Sequence, residues 1–164
     1  MKKLENRIAI VTGAASGMGK ATAKKMAEYG ARVNIIDFSP EVMTYAEELR
    51  NEGYDATGYQ ADVRDGARLK EIYKEVFEKY GRIDAVVNAA GVAVFTDFTD
   101  DSIDVEAHRE IDINYFGVWN SCRAVAPYMK DAKYGKIVKD ISVFEREIIY
   151  DVEDRLPISE EQQT

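Results

Sequence analysis

Apolar runs of strand length alternate along the chain with segments whose apolar residues recur every three or four positions. The runs are "RIAIVTG", "ARVNIID", "DATGYQADV", "RIDAVVNAAG" and "GKIVKDIS", and the stretches between them carry helical periodicity. That alternation predicts an α/β domain, a doubly wound, Rossmann-type three-layer fold with about five parallel strands between helices. The helix between the third and fourth runs is the plainest: Leu69, Ile72, Tyr73, Val76, Phe77 and Tyr80 follow an i, i+3, i+4 rhythm, Asp65 can cap its start and Gly81 can end it. Upstream, Ser39 followed by Pro40 suits a cap and a first helical residue, and Val42, Tyr45, Ala46 and Leu49 form a stripe ending at Gly53. A long helix is predicted from Ser102 or Ile103 to about Met129, with Pro127 limiting its continuation.

Length and charge narrow the classes of function. The chain has 164 residues, 46% of them hydrophobic, enough for one compact domain with a sizeable core. Asp and Glu outnumber Lys and Arg by 30 to 22, a net charge of −8, which disfavours a general nucleic-acid or anionic-membrane binder. Lys20, Lys24 and Lys25 have the spacing of a solvated helix face rather than a basic patch. A lone cysteine, Cys122, leaves no intrachain disulfide or cysteine-based zinc cluster and fits a reducing compartment, so a cytoplasmic location is expected. No stretch reaches the apolar length of a membrane span, and Glu5, Asn6 and Arg7 interrupt the amino terminus where a signal peptide would be apolar. His108 falls in the polar first half of the long helix without a suitably spaced second ligand, which reads as a surface residue.

The candidate chemistry begins after the first strand, in "TGAASGMGKATAKKMAEYG". Gly13, Gly17 and Gly19 allow a tight turn whose bare N–H groups can approach a pyrophosphate, and the helix that follows adds the positive end of its dipole. The position between a strand and a helix is the context such a motif requires. The second strand ends at Asp37, 18 residues beyond Gly19, where a carboxylate can accept hydrogen bonds from the hydroxyls of the adenosine ribose. A 2′-phosphate about 4 Å from that charge would lose on the order of 1 to 4 kcal/mol. NAD(H) is therefore expected in preference to NADP(H).

With these residues in place, the sequence from about Leu4 to Ser142 resembles the short-chain dehydrogenase/reductase family. Thr12-Gly13-Ala14-Ala15-Ser16-Gly17-Met18-Gly19 is similar to the Thr-Gly-x-x-x-Gly-x-Gly cofactor motif, Asp62-Val63 to the adenine-contacting pair, and Asn88-Ala89-Ala90-Gly91 to the Asn-x-Ala-Gly motif. The resemblance implies that Asp62 bonds the adenine amino group and Val63 offers its backbone. It implies too that Ala90 and Gly91 let the chain pass close to the adenosine ribose, and that Asn88 and Thr12 tie the fourth strand to the phosphate loop. Asn114 is similar to the family asparagine that links a lysine to a proton-relay water, and Ser142, 28 residues later, to the serine that holds the substrate oxygen.

The implied activity is hydride transfer between NAD(H) and a small alcohol or ketone, with 3-oxoacyl reductases and sugar-alcohol dehydrogenases as the nearest type. Hydride delivery to a carbonyl also needs a proton donor, which the family supplies as the tyrosine of a Tyr-x-x-x-Lys pair. That pair does not occur after Ser142. Tyr150 has Asp154 rather than lysine four residues on, a neighbour that would raise its pKa. Residues 1–142 are thus read as an NAD-binding domain and 143–164 as an atypical tail, shortened relative to the family. Three readings stay open: the oxidoreductase, a catalytically inactive dinucleotide-binding module, and a shortened domain that self-associates as a homo-oligomer through an exposed fifth strand or the long helix.

Overall fold

The computed structural model describes residues 3–93 and 103–139. The candidate catalytic residue Ser142, the tail 143–164 and the start of the long helix at Ser102 lie outside the described residues.

Each apolar run forms a strand: β1 Ile8–Thr12, β2 Arg32–Asp37, β3 Ala56–Gln60, β4 Ala85–Asn88 and β5 Lys136–Lys139. All pairings are parallel, and the order across the sheet is β3-β2-β1-β4-β5. Helices α1 (Gly17–Glu28), α2 (Glu41–Asn51) and α3 (Gly66–Tyr80) make the first three crossovers. The fourth contains α4 (Ile103–Ile111), a π-helical turn at Asp112–Phe116 and α5 (Gly117–Ala132).

A parallel sheet covered on both faces needs strands that are apolar on both sides, and β1 is buried at every residue. Successive side chains point to opposite faces, which divides the core in two. Ala9, Val11, Val33 and Ile35 pack with Ala23, Ala27, Val42 and Leu49 from α1 and α2. Ile8, Ile10, Ile36 and Val86 pack with Leu69, Ile72, Tyr73 and Val76 of α3 and Val125 of α5. α3 starts with the Asp65 carboxylate accepting from the amides of Ala67 and Arg68, and stops at Gly81 in the left-handed conformation. On the other face α2 ends just before Gly53, φ +91°.

The long helix differs from its sequence pattern in two ways. A π turn, which holds one more residue than an α turn, interrupts it at Asp112–Phe116, although the backbone stays helical on both sides. It also passes Pro127 and runs to Ala132, where Lys133 adopts the left-handed conformation. Pro127 leaves one carbonyl of the preceding turn without its donor, but Tyr128 stacks on Phe77 of α3 with ring centroids 4.5 Å apart. Tertiary contact holds the last turn in place.

β5 joins the sheet through β4 and is exposed along most of its length, Val138 at 52%. Its lysines therefore avoid the desolvation that a doubly covered strand would impose. Among the described residues, no helix is long and apolar enough to cross a membrane, and no group of three or more His, Cys, Asp or Glu side chains can hold a metal ion.

Candidate functional site

In a doubly wound sheet, the loops at the carboxyl ends of the strands diverge where the strand order reverses, here between β1 and β4. A cleft of about 500 Å³ opens there, within the usual size of a small-molecule or cofactor site. The turn from β1 into α1 forms its floor. Gly13 and Gly17 both have positive φ, +68° and +52°, but their surroundings differ. A Cβ added to Gly13 would lie 2.5 Å from the Ala90 nitrogen and 2.6 Å from the carbonyl carbon and oxygen of Ala89, all main-chain atoms. At Gly19 it would strike the carbonyl of Gly13. Around Gly17 nothing lies within 4 Å. The turn is thus packed against β4 on one side and open to the cleft on the other.

Ser16 precedes α1 without capping it through its side chain, and the first turn of α1 carries no acidic residue. The first-turn amides and the positive end of the helix dipole therefore face the cleft without a side-chain cap or an acidic residue in their own turn. Ser16, Gly17, Met18 and Gly19 all line it.

Asp37, at the end of β2, holds the same turn. One of its carboxylate oxygens accepts from the Ala15 amide and the other from the Ser39 amide, each at 2.9 Å. A carboxylate offers about four lone-pair sites, so two remain for a ligand. Phe38, 71% exposed, stands beside it at the cleft mouth. Across the cleft, the Asp62 carboxylate is gripped by Arg64, with Nε at 2.9 Å and Nη2 at 2.6 Å from one oxygen. The paired guanidinium holds the Asp62 carboxyl below its ordinary pKa and keeps it ionised. Val63 is buried on the same wall.

The wall beyond β4 is fastened twice. The Thr12 hydroxyl accepts from the Ala90 amide at 3.3 Å, linking β1 to the Ala89-Ala90-Gly91 segment. Asn114 lies within the π turn and is paired with the backbone of Val92: its Oδ1 accepts from the Val92 N–H at 2.9 Å and its Nδ2 donates to the Val92 carbonyl at 2.8 Å. The side-chain amide of Asn114 thereby fastens the long helix to the cleft wall. Asn88, 2% exposed at the end of β4, has neither amide atom paired among the described residues. The structure therefore brings Gly13, Ser16, Gly17, Met18, Gly19, Asp37, Asp62, Val63, Ala89, Ala90 and Gly91 around one cleft, with Thr12 and Asn114 supporting its wall and Asn88 buried behind it.

The profile of the short chain dehydrogenase family matches residues 7–149. The chain belongs to the short-chain dehydrogenase family. Oxidoreductase UcpA of Escherichia coli K12 is 43% identical over 143 residues, which are 87% of this chain and 54% of that protein. The 2,3-dihydro-2,3-dihydroxybenzoate dehydrogenase of Bacillus subtilis is 38% identical, covering 84% of this chain and 52% of its own. The crystal structure of gox2181 superposes with a TM-score of 0.82 at 35% identity, over 87% of this chain and 56% of that one. A short-chain dehydrogenase from Mycobacterium smegmatis gives a TM-score of 0.81 at 28% identity, covering 88% and 61%. The chain spans about half the length of the curated relatives it matches.

Short-chain dehydrogenases generally use NAD(P)(H), and the cleft fits such a group on its own evidence: bare amides at a helix N-terminus, an open face at Gly17 and two carboxylates flanking the floor. Six lining residues were not singled out from sequence: Phe38, Ala61, Arg64, Val92, Arg109 and Ile113. Phe38 and Arg64 adjoin the motif residues Asp37 and Val63, so adjacency alone could have flagged them. Arg109 and Ile113 are four apart on one helix face, and only the packing of the long helix against β4 brings them to the cleft.

Proposed function

We propose that this cleft binds NAD(H) and that the chain carries the cofactor-binding part of an oxidoreductase that interconverts a small alcohol and a ketone. One observation carries the reading: the uncapped N-terminus of α1 and the open side of Gly17 meet Asp37 and Asp62 around a single cleft. In this reading the α1 amides and Ser16 bind the pyrophosphate, Asp37 accepts from the adenosine ribose, and Asp62 with the Val63 backbone meets the adenine amino edge. Ala90 and Gly91 let the ribose approach the main chain. Asp37 favours NAD(H) over NADP(H), because a 2′-phosphate beside it would meet a second negative charge. The bound dinucleotide would supply hydride transfer to or from carbon. The chain's part is to orient it through Thr12, Asn114 and the β4 wall, with Ser142 assigned to the substrate oxygen. UcpA and the Bacillus subtilis dehydrogenase, both named for redox activity, support the reaction class.

A second reading, dinucleotide binding without turnover, is favoured by Tyr150, which is followed four positions on by Asp154 where the family places a lysine. The test is a titration of NADH fluorescence followed by absorbance at the reduced-nicotinamide band with panels of ketones and alcohols. Binding with substrate-dependent turnover supports the oxidoreductase, and binding alone supports the second reading. The absence of NADH binding would refute both.

A further inference from the structure

The long helix touches the cleft from behind at a second asparagine, which no motif marks. Asn120, six residues after Asn114 and on α5, donates its Nδ2 to the main-chain carbonyls of Val63 and Arg64, both at 3.1 Å. Its Oδ1 would lie 2.9 Å from a Cβ built on Gly66, so the glycine lets the amide seat closely without shifting. One turn earlier on the same face, Gly117 packs against Val63, whose Cγ2 would be 2.6 Å from a Cβ at that position. Residues i and i+3 share a helix face, and here that face seats in the loop from Asp62 to Gly66.

Two things follow from the chemistry of this contact. The carbonyls of Val63 and Arg64 stand outside regular secondary structure, and an asparagine amide can satisfy both at once. The loop they belong to carries Asp62 and Val63, the wall assigned to adenine. The opposite wall is held by Asn114 through Val92. A single long helix thus fixes the separation of both walls through two asparagines, one on each side of Gly117.

We infer that Asn120 is a positioning residue for the adenine end of the site: it sets the Asp62–Val63–Arg64 loop at the spacing that an adenosine moiety requires. The inference rests on the dinucleotide reading above. Removing the amide frees the loop to shift, so the pocket loses preorganisation while the phosphate turn keeps its own. The substitution Asn120→Ala should weaken NADH and AMP by the same factor, about tenfold, as expected for two lost hydrogen bonds. Amide hydrogen exchange should quicken over residues 61–66 and stay unchanged over 86–92.

The control is Tyr73→Phe, which removes a buried α3–α5 hydrogen bond without touching the loop. A merely structural role for Asn120 would lower the melting temperature as Tyr73→Phe does and leave both affinities within about twofold, and that result would overturn the inference. Gly117→Ala, which pushes Val63 from the other side, gives a second route should Asn120→Ala fail to fold. It is expected to weaken AMP as well, and unchanged AMP affinity there would count equally against the proposal. If the unaltered chain binds neither NADH nor AMP, the dinucleotide reading itself fails, an outcome distinct from a variant that binds normally.

Discussion

Gly13 and Gly17 carry the same type of residue at the same sign of φ, yet the structure gives them different roles, which two alanine substitutions separate. At Gly13 the new methyl would sit 2.5 Å from the Ala90 nitrogen, about 1 Å short of ordinary contact, and the atoms in its way are backbone that cannot rotate aside. Holding alanine at φ +68° costs about 1–2 kcal/mol, and overpacking against rigid atoms adds about 1–3 kcal/mol. Gly13→Ala should therefore lose about 2–5 kcal/mol of stability, a large part of what a domain of this size possesses. At Gly17 there is nothing within 4 Å, so alanine meets only the conformational cost, about 1–2 kcal/mol at φ +52°.

The new methyl of Gly17→Ala would project into the space assigned to the pyrophosphate, so NADH affinity should fall by more than tenfold while the fold persists. Urea unfolding followed by circular dichroism measures the first effect, and NADH fluorescence titration the second. A Gly13→Ala protein within about 0.5 kcal/mol of the parent, less than ordinary substitutions cost, would refute the packing argument. A Gly17→Ala protein that binds NADH like the parent would refute the assignment of the open face to phosphate.

Three further outcomes are expected. Asp37→Asn removes the charge while nearly keeping the shape, and should shift the ratio of NADPH to NADH affinity toward NADPH by about tenfold or more; an unchanged ratio in parallel titrations would show that charge is not what discriminates. Tyr73 and Ser121 share a buried hydroxyl–hydroxyl bond of 2.6 Å between α3 and α5, so Tyr73→Phe should cost about 1–3 kcal/mol in urea unfolding by orphaning Ser121, and Ser121→Ala added to it should recover part of that loss. Burial of Asp84 opposes its ionisation, but hydrogen bonds from Arg82, the Ile8 amide and Arg7 outweigh that and hold its pKa below the ordinary value. A lowered folded pKa contributes stability that is complete above the unfolded value near about 4 and lost as pH falls through the folded one. Urea midpoints measured from pH 5 to pH 2 should accordingly fall more steeply in the parent than in Asp84→Asn, and parallel curves would remove Asp84 from the account.

Periodicity along the chain was enough to place all five strands and the first three helices: burial on both faces demands continuous apolar runs in the central strands, the short run Ile137–Val138 marks the exposed β5, and a helix facing one side demands a stripe. Asp65 and Gly81 were legible as the ends of α3 for a local reason: a cap and a left-handed stop act within a few residues. The glycine-rich turn and the acid closing β2 could be read in the same way, since their spacing follows from one strand, one turn and one helix.

The rest depended on residues distant in sequence. Whether Pro127 ends a helix was decided by Tyr128 stacking on Phe77. What the amide of Asn114 does was decided by Val92, 22 residues away; Asn120 reaches carbonyls 57 and 56 residues back. Local sequence specifies a conformation through short-range sterics and hydrogen bonds. Which side chains share a cleft is fixed only when the sheet brings the ends of its strands together, and a pattern of residues along the chain holds no record of that separation in space.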